Sequence, residues 1–262
     1  MSHGTPLLDA VRAIAEAAAT VVLEHYQAGA VATEKADRSP VTAADHAASD
    51  FICDRLARLD PGALVVSEER VTGQEGPAPD RFWLVDPLDG TKEFLKRTGE
   101  FTINIALIED GVPVLGVVHV PVSGRTYLAA AGNGSFRVDP ASEPVRIATR
   151  AADPPRLAVV ASRDHAGPRV AELLARLPEA ATLSMGSSLK FCLVAEGKAD
   201  LYLRDVPTME WDTAAAQCVV ETAGGQLLTL DNRPLRYGKP GMRNPAIITI
   251  GDPSLPWTSY LQ

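Results

Sequence analysis

The first sixty residues carry the periodicity of two amphipathic helices. Apolar residues recur every three or four positions from Leu7 to Val22, and Gly29 follows as a helix stop. A second helix is expected over residues 42–59, because an Asp-Pro-Gly turn comes directly after it. The chain therefore begins with two helices, each with one apolar face to bury.

Beyond the second helix the pattern changes to short apolar runs of β-favouring residues. Two runs, residues 63–67 and 82–85, end abruptly in carboxylates. Residues 101–108 and 112–120 flank an Asp-Gly turn and predict a β-hairpin, and residues 125–138 predict another. These segments favour an antiparallel sheet against which the two helices pack.

A loop-like stretch near residue 140 divides the pattern in two. Residues 1–139 form a predicted α+β half. Residues 140–262 alternate short strands and helices, which is typical of an α/β half with a substantially parallel sheet. The pattern leaves the strand order open.

The composition indicates a globular protein and is compatible with a small anionic substrate. The formal net charge of −8 argues against a nucleic-acid backbone or an anionic membrane as the main partner, since both attract basic surfaces. Three widely spaced cysteines favour a reducing cytoplasm, and the first residues do not resemble a signal peptide. The best candidate for a membrane span, residues 7–26, contains four charged residues and is not expected to cross a bilayer.

Carboxylates stand at the ends of several predicted elements. Glu68 follows a strand, Asp86 and Asp89 flank a bend at Pro87, and Asp212 begins a helix. Each has a simpler explanation, as a solvated strand end, a turn or a helix cap. Together they form an oxygen-rich set without histidine or cysteine, which selects Mg²⁺, Mn²⁺ or Ca²⁺ over zinc.

Two further features place phosphate chemistry beside these carboxylates. Gly90 and Thr91 follow the acidic bend at the start of a predicted short helix, and exposed backbone N–H groups there favour an anion. Asp45 lies near the start of the second helix, where it is either a surface carboxylate or part of the same site.

At these residues the chain resembles the inositol monophosphatase-like superfamily of magnesium-dependent, lithium-sensitive phosphatases. The resemblance rests on DPLDGTKEF at residues 86–94 and WDTAAAQCVVETAGG at residues 211–225. Within the superfamily the sequence is most similar to CysQ-type 3′(2′),5′-bisphosphate nucleotidases, through Lys92-Glu93 and the segment GSSLKF at residues 186–191. The resemblance implies a layered α–β–α–β–α sandwich.

The resemblance also implies roles for individual residues. The implied metal ligands are Glu68, Asp86, the Leu88 carbonyl, Asp89 and Asp212, holding two Mg²⁺ ions with room for a weaker third. The implied catalytic pair is Thr91 with Asp45, which positions and helps deprotonate a metal-activated water. The implied substrate-binding residues are Glu68, Leu88, Asp89, Gly90, Thr91, His165, Ser187, Lys190, Arg204 and Asp212, with Lys190 as the contact for a second phosphate.

The resemblance implies hydrolysis of adenosine 3′,5′-bisphosphate to AMP and phosphate, a by-product clearance step in sulfur assimilation. An inositol or sugar monophosphatase on the same scaffold is the nearest alternative, and a phosphate-binding regulator without turnover is a remote one. A cytoplasmic location is expected. Peripheral association with the inner membrane stays open, although the sequence has no basic amphipathic helix to support it. The oligomeric state is left open.

Overall fold

A computed structural model of the chain describes residues 5–29, 32–34, 40–70, 76, 78–161 and 167–261. The α-helices among them are α1 (Pro6–Ala28), α2 (Ala43–Leu59), α3 (Thr91–Leu95), α4 (Pro168–Arg176), α5 (Leu189–Ala195) and α6 (Ala214–Thr222). The two N-terminal helices are confirmed. The hydroxyl of Thr5 accepts from the first turn of α1, and Gly29 ends it with the left-handed φ of 80° that the glycine stop predicted.

Two short strands, β1 (Ala32–Glu34) and β2 (Pro40–Thr42), form an antiparallel pair just before α2. The large first sheet follows, with its strands in chain order, and all of its pairings are antiparallel except that of its first two strands. Its members are β3 (Leu64–Ser67), β4 (Arg81–Asp89), β5 (Thr102–Glu109), β6 (Val112–Val120), β7 (Arg125–Ala130), β8 (Gly134–Val138) and β9 (Val145–Ile147). Both predicted hairpins are confirmed.

The second sheet has five strands in the order β11, β10, β12, β16, β14. They are β10 (Ala158–Ala161), β11 (Ala181–Ser184), β12 (Leu201–Arg204), β14 (Gln226–Thr229) and β16 (Ile247–Ile250), while β13 (Thr208–Met209) pairs with β15 (Arg243–Asn244). The prediction of a substantially parallel sheet is wrong for half of it. Strand β16 lies between β12 and β14 and is antiparallel to both, because the chain returns after β14 to fill the gap that the α6 crossover leaves.

Five layers result from three apolar cores. Helices α1 and α2 cover one face of the first sheet, α5 and α6 lie between the sheets, and α4 covers the outer face of the second sheet. This confirms the expected α–β–α–β–α sandwich. The division at residues 139/140 stays a prediction; β9 belongs to the first sheet, and α6 contacts both sheets.

Gly116 on β6 allows the central layer to lie close to the first sheet. A Cβ at this position would lie 2.3 Å from the carbonyl oxygen of Ala215 in α6. Because glycine has no side chain, α6 can pack closely against β6 at this point. The turn before α6, which contains Asp212, then contacts β4 and β5. In the described part of the chain, no helix has the length and apolar character needed to cross a membrane.

Candidate active site

The acidic bend at the end of β4 is held by its own backbone. Asp86 is 1% exposed, and its Oδ1 accepts a hydrogen bond from the Leu88 amide at 3.0 Å. The β4–β5 pairing shifts register between Asp86 and Asp89, so the chain bulges where Pro87 stands. Strand β4 continues through this bulge to Asp89, so it is longer than the predicted strand, which ended before Asp86.

Carboxylates from three elements converge beside this bend. One oxygen each of Glu68, Asp86 and Asp212 lies within 4.8 Å of the others. Glu68 begins a 3₁₀ turn directly after β3, and Asp212 ends another turn before α6. Because the backbone amide of Met209 donates to Asp212 Oδ2 at 2.8 Å, that carboxylate is oriented before any ligand binds.

Burial and mutual repulsion make these carboxylates difficult to ionise together. Loss of hydration raises the pKa of Asp86 well above its ordinary value, and the charges of Glu68, Asp89 and Asp212 raise it further. Loss of hydration, followed by Asp89 and Glu68, raises the pKa of Asp212 to about 7. Such a cluster of hard oxygen donors fits a divalent cation of the Mg²⁺ type, which would neutralise it.

Asp89 lines the same pocket, with one oxygen held by neighbouring side chains. Its Oδ2 accepts from the hydroxyl of Ser188 at 2.7 Å, the amide of Asn104 at 3.4 Å and the hydroxyl of Thr102 at 3.5 Å. The sequence did not single out these three partners. Ser188 lies inside the quoted GSSLKF segment, whereas nothing in the sequence marks Asn104 or Thr102, which lie on β5.

Thr91 and Asp45, the predicted catalytic pair, contact each other across 46 residues of sequence. The hydroxyl of Thr91 donates to Asp45 Oδ1 at 3.2 Å, and the Leu88 carbonyl lies 3.5 Å away as a weaker acceptor. Asp45 is 2% exposed, and its Oδ2 accepts from both the amide and the hydroxyl of Thr42 in a capping box. The cap of α2 therefore fixes one oxygen of Asp45 and leaves the other for Thr91.

Gly90 allows the turn that presents Thr91 to the pocket. Its φ of 95° lies in the left-handed region, and an added Cβ would lie 3.2 Å from both the Ser187 Cβ and a Glu93 carboxylate oxygen. Helix α3 has five residues and is shorter than the predicted helix. An anion bound here would therefore be stabilised mainly by the nearby backbone N–H groups, because so short a helix has only a small dipole.

The same pocket also contains buried cationic side chains, which form what we call its cationic side. Lys190 on α5 is 5% exposed, and burial lowers its pKa to about 8, while Asp89 acts in the opposite sense. Arg204 ends β12, and its Nε is buried without a hydrogen-bond partner among the described residues. The buried hydroxyl of Ser187 also lacks a partner among them, and its φ of 45° is strained for a side chain.

The pocket thus contains nearly all of the residues that the sequence singled out. Its lining includes Glu68, Asp86, Leu88, Asp89, Gly90, Thr91, Ser187, Lys190, Arg204 and Asp212. Asp45 contacts it through Thr91. His165 lies outside the described residues. The lining also includes Lys92, Glu93, Ser188, Phe191 and Thr213, which lie in the quoted segments, and Tyr202 and Thr208, which the sequence did not single out.

Fold and site define a class, namely a five-layer α–β–α–β–α protein with a cluster of carboxylates that could hold a divalent cation. The model of the Inositol monophosphatase family matches residues 4–250. The chain belongs to the inositol monophosphatase family, as its two signature segments predicted.

Named relatives refine this placement. The 3′(2′),5′-bisphosphate nucleotidase CysQ of Escherichia coli O157:H7 is 47% identical over 234 residues, covering 88% of this chain and 94% of the relative. The crystal structure of CysQ from Bacteroides thetaiotaomicron superimposes with a TM-score of 0.80 at 36% identity, over 94% of this chain and 98% of that one. The suhB protein of Bartonella henselae shares the fold at a TM-score of 0.81 and 22% identity, covering 98% of this chain and 99% of that one.

Proposed function

We propose that this chain is a magnesium-dependent 3′(2′),5′-bisphosphate nucleotidase that hydrolyses adenosine 3′,5′-bisphosphate to AMP and phosphate. The observation that carries the proposal is the division of one pocket into a carboxylate side and a cationic side. The first suits cations that neutralise a reacting phosphate, and the second suits another phosphate that is not cleaved. The name of the Escherichia coli relative, 3′(2′),5′-bisphosphate nucleotidase, supports a bisphosphorylated nucleotide as the substrate class.

The carboxylate side would hold the ions. One Mg²⁺ is assigned to Glu68, Asp86 and the Leu88 carbonyl, a second to Asp86, Asp89 and Asp212, and a weaker third to Glu68 with waters. When bound, Mg²⁺ supplies positive charge to the phosphate oxygens and lowers the pKa of a water. The convergence of Glu68, Asp86 and Asp212 supports this assignment. Bound cations would neutralise the repulsion among these carboxylates and offset the cost of burying their charges.

The Thr91–Asp45 pair prepares the attacking water. With its own proton directed to Asp45 Oδ1, the Thr91 oxygen has lone pairs free to accept a hydrogen bond from that water. Asp45, which Thr42 holds in place, takes up the proton that Thr91 passes on when the water attacks. The bond from phosphorus to the ribose oxygen breaks, and this leaving oxygen takes a proton from a second water, which gives AMP and phosphate. The N–H groups of Gly90 and Thr91 are assigned to the equatorial phosphate oxygens, where charge increases in the transition state.

The cationic side determines which ester is accepted. Lys190, Arg204 and Ser187 each offer a donor to a phosphate, and two of these donors are buried without partners among the described residues. An unpaired buried donor is costly, so the free pocket is less stable than one in which an anion satisfies it. A monophosphate would leave these donors unsatisfied, which favours a bisphosphorylated substrate. His165, outside the described residues, stays a substrate contact that the resemblance implies.

Phosphate release with Mg²⁺ from a panel of adenosine 3′,5′-bisphosphate, inositol 1-phosphate and fructose 1,6-bisphosphate tests the proposal. We expect the nucleotide to give the highest kcat/KM and chelation of the metal to abolish turnover. Preference for an inositol or sugar phosphate would instead indicate a monophosphatase on this scaffold. Binding without phosphate release would indicate a regulator, and either outcome would overturn the proposal.

A further inference from the structure

Ser188 occupies a helix-capping position without using its side chain as a cap. It precedes α5 with φ −67° and ψ −6°, and its hydroxyl makes no capping bond to the described backbone. Serine at such a position usually accepts a hydrogen bond from the second or third amide of its helix. The hydroxyl of Ser188 is directed instead toward the candidate metal site.

The environment of this hydroxyl links three segments of the pocket. Ser188 is 1% exposed, and its Oγ lies 2.7 Å from Asp89 Oδ2 and 2.9 Å from the carbonyl oxygen of Asp212. A serine has one hydrogen for these two acceptors, and the shorter contact to a carboxylate is the stronger. Ser188 therefore donates to Asp89 and lies against the Asp212 backbone, which fixes the spacing of these two residues.

Asn104 completes the arrangement from β5. Its amide group donates to Ser188 Oγ at 2.9 Å and to Asp89 Oδ2 at 3.4 Å. Its carbonyl oxygen is buried and has no partner among the described residues. The reverse orientation would place that oxygen against a carboxylate, so the charge of Asp89 holds the amide as it is.

We propose that Ser188 is a positioning residue, supported by Asn104, that presents Asp89 to the cation site. The three hydrogen bonds recorded from Ser188, Asn104 and Thr102 to the Asp89 carboxylate all end on Oδ2, which leaves Oδ1 for a cation. Without the hydroxyl, Asp89 loses its shortest contact and can rotate away. The inference rests on the proposed function, because it assigns Asp89 to a bound Mg²⁺.

Calorimetric titration of the ion-free full chain with Mg²⁺ tests this role directly. Ser188→Ala should weaken Mg²⁺ binding by about 10- to 100-fold, as partners that orient metal ligands usually do when removed. Ser135→Ala is the matched control, because Ser135 is also fully buried and donates to a carbonyl at 2.6 Å, but between β8 and α6. That variant should bind Mg²⁺ like the wild type.

The outcomes separate the two proposals. A wild type that binds no Mg²⁺ contradicts the proposed function itself. A wild type that binds Mg²⁺, with Ser188→Ala binding equally well or Ser135→Ala weakened to the same degree, overturns the role of Ser188 alone.

Two further measurements guard against a purely structural effect. If Ser188→Ala does not fold, Ser188→Cys retains most of the volume with a much weaker donor and should show the same direction of change. In turnover, the half-saturating Mg²⁺ concentration should rise while kcat at saturating Mg²⁺ largely recovers. A lowered kcat at saturating Mg²⁺ with an unchanged Mg²⁺ requirement would contradict a positioning role through Asp89.

Discussion

Asp86 and Lys190 are two buried ionisable residues of one pocket, and burial shifts both toward their neutral forms. The pKa of Asp86 rises, and that of Lys190 falls to about 8. Their neighbours differ: like charges from three carboxylates surround Asp86, whereas Asp89, Glu93 and Glu100 partly stabilise the charge of Lys190. The carboxylates around Asp86 therefore need positive charge from a bound cation. Lys190 already has negatively charged neighbours within the protein.

The carboxylates and Lys190 also differ in the hydrogen bonds that hold their side chains in place. Asp86 and Asp212 each accept a backbone hydrogen bond of 3.0 Å or shorter. Lys190 Nζ makes a longer contact of 3.4 Å with the Met185 carbonyl, and it lies 5.8 Å from the centre of the Tyr202 ring. We infer that the acidic side is fixed in advance to bind ions, whereas the cationic side adapts to its ligand and determines specificity.

The largest effect is expected from Asp86→Asn. The change removes a charge shared by both assigned ions, so turnover should fall by about 10³-fold or more. Because the charged form of Asp86 is disfavoured by burial, the ion-free variant should be at least as stable as the wild type in thermal unfolding. Asp153→Asn, at an exposed ion pair with Arg156, is the control with unchanged turnover. Near-normal turnover in Asp86→Asn would remove the basis for the two-ion assignment.

A smaller effect is expected from Thr91→Val, which replaces the hydroxyl by a methyl group of similar size. Loss of the contact to Asp45 should lower kcat by about 100-fold, within the usual range for proton-transfer groups, with little change in KM. Thr91→Ser retains the hydroxyl and should keep most of the activity. Equal losses in the two variants would indicate that Thr91 acts through its shape.

The smallest effect concerns stability and pH. Because the pKa of Asp212 is raised to about 7, the folded ion-free protein keeps a proton that the unfolded chain has released between about pH 4 and pH 7. The free energy of unfolding should therefore fall as pH rises through this window, and the stabilisation by added Mg²⁺ should be larger at pH 8 than at pH 5.

Asp212→Asn isolates that contribution from other titrating groups. His119, whose pKa burial lowers to about 4, acts in the opposite direction between about pH 4 and pH 6.5 in both proteins. In denaturant unfolding, the free energy of unfolding of the wild type should therefore fall relative to that of the variant as pH rises from about 4 to 7. A difference independent of pH would contradict the raised pKa of Asp212.

The acidic side could be predicted from the sequence because its residues stand at or near element ends in three short segments, around residue 68, at residues 86–89 and at residue 212. The apolar runs placed Glu68 after a strand, as the structure has it, and placed Asp86 after another, although β4 continues to Asp89. The predicted helix began at Asp212, two residues before α6. The partners of Asp89 could not be predicted in this way, since Asn104 and Ser188 meet it only through the packing of β5 and α5. A buried asparagine within a strand has no pattern of its own.

The mixed second sheet escaped prediction for a related reason. Alternating strands and helices indicate crossovers, and these do run between β10, β11, β12 and β14. Strand β16 comes from a later segment without an intervening α-helix, so its direction depends on which gap in the sheet it fills. Local periodicity does not contain that information.

The division of the pocket is tested most directly by Lys190→Ala on two substrates. A charged hydrogen bond to phosphate is worth roughly 1.5–3 kcal/mol, so kcat/KM for adenosine 3′,5′-bisphosphate should fall by about 10- to 150-fold. Hydrolysis of inositol 1-phosphate, which has no second phosphate, should hardly change. Lys198→Ala, at a half-exposed lysine paired with Glu196 just beyond α5, should alter neither rate.

A folding defect cannot produce this difference, because it would lower both rates alike. A selective loss on the bisphosphate is the result that the two-sided pocket predicts. Equal losses on both substrates, or no loss on either, would contradict it and would make Lys190 an ordinary buried lysine of α5.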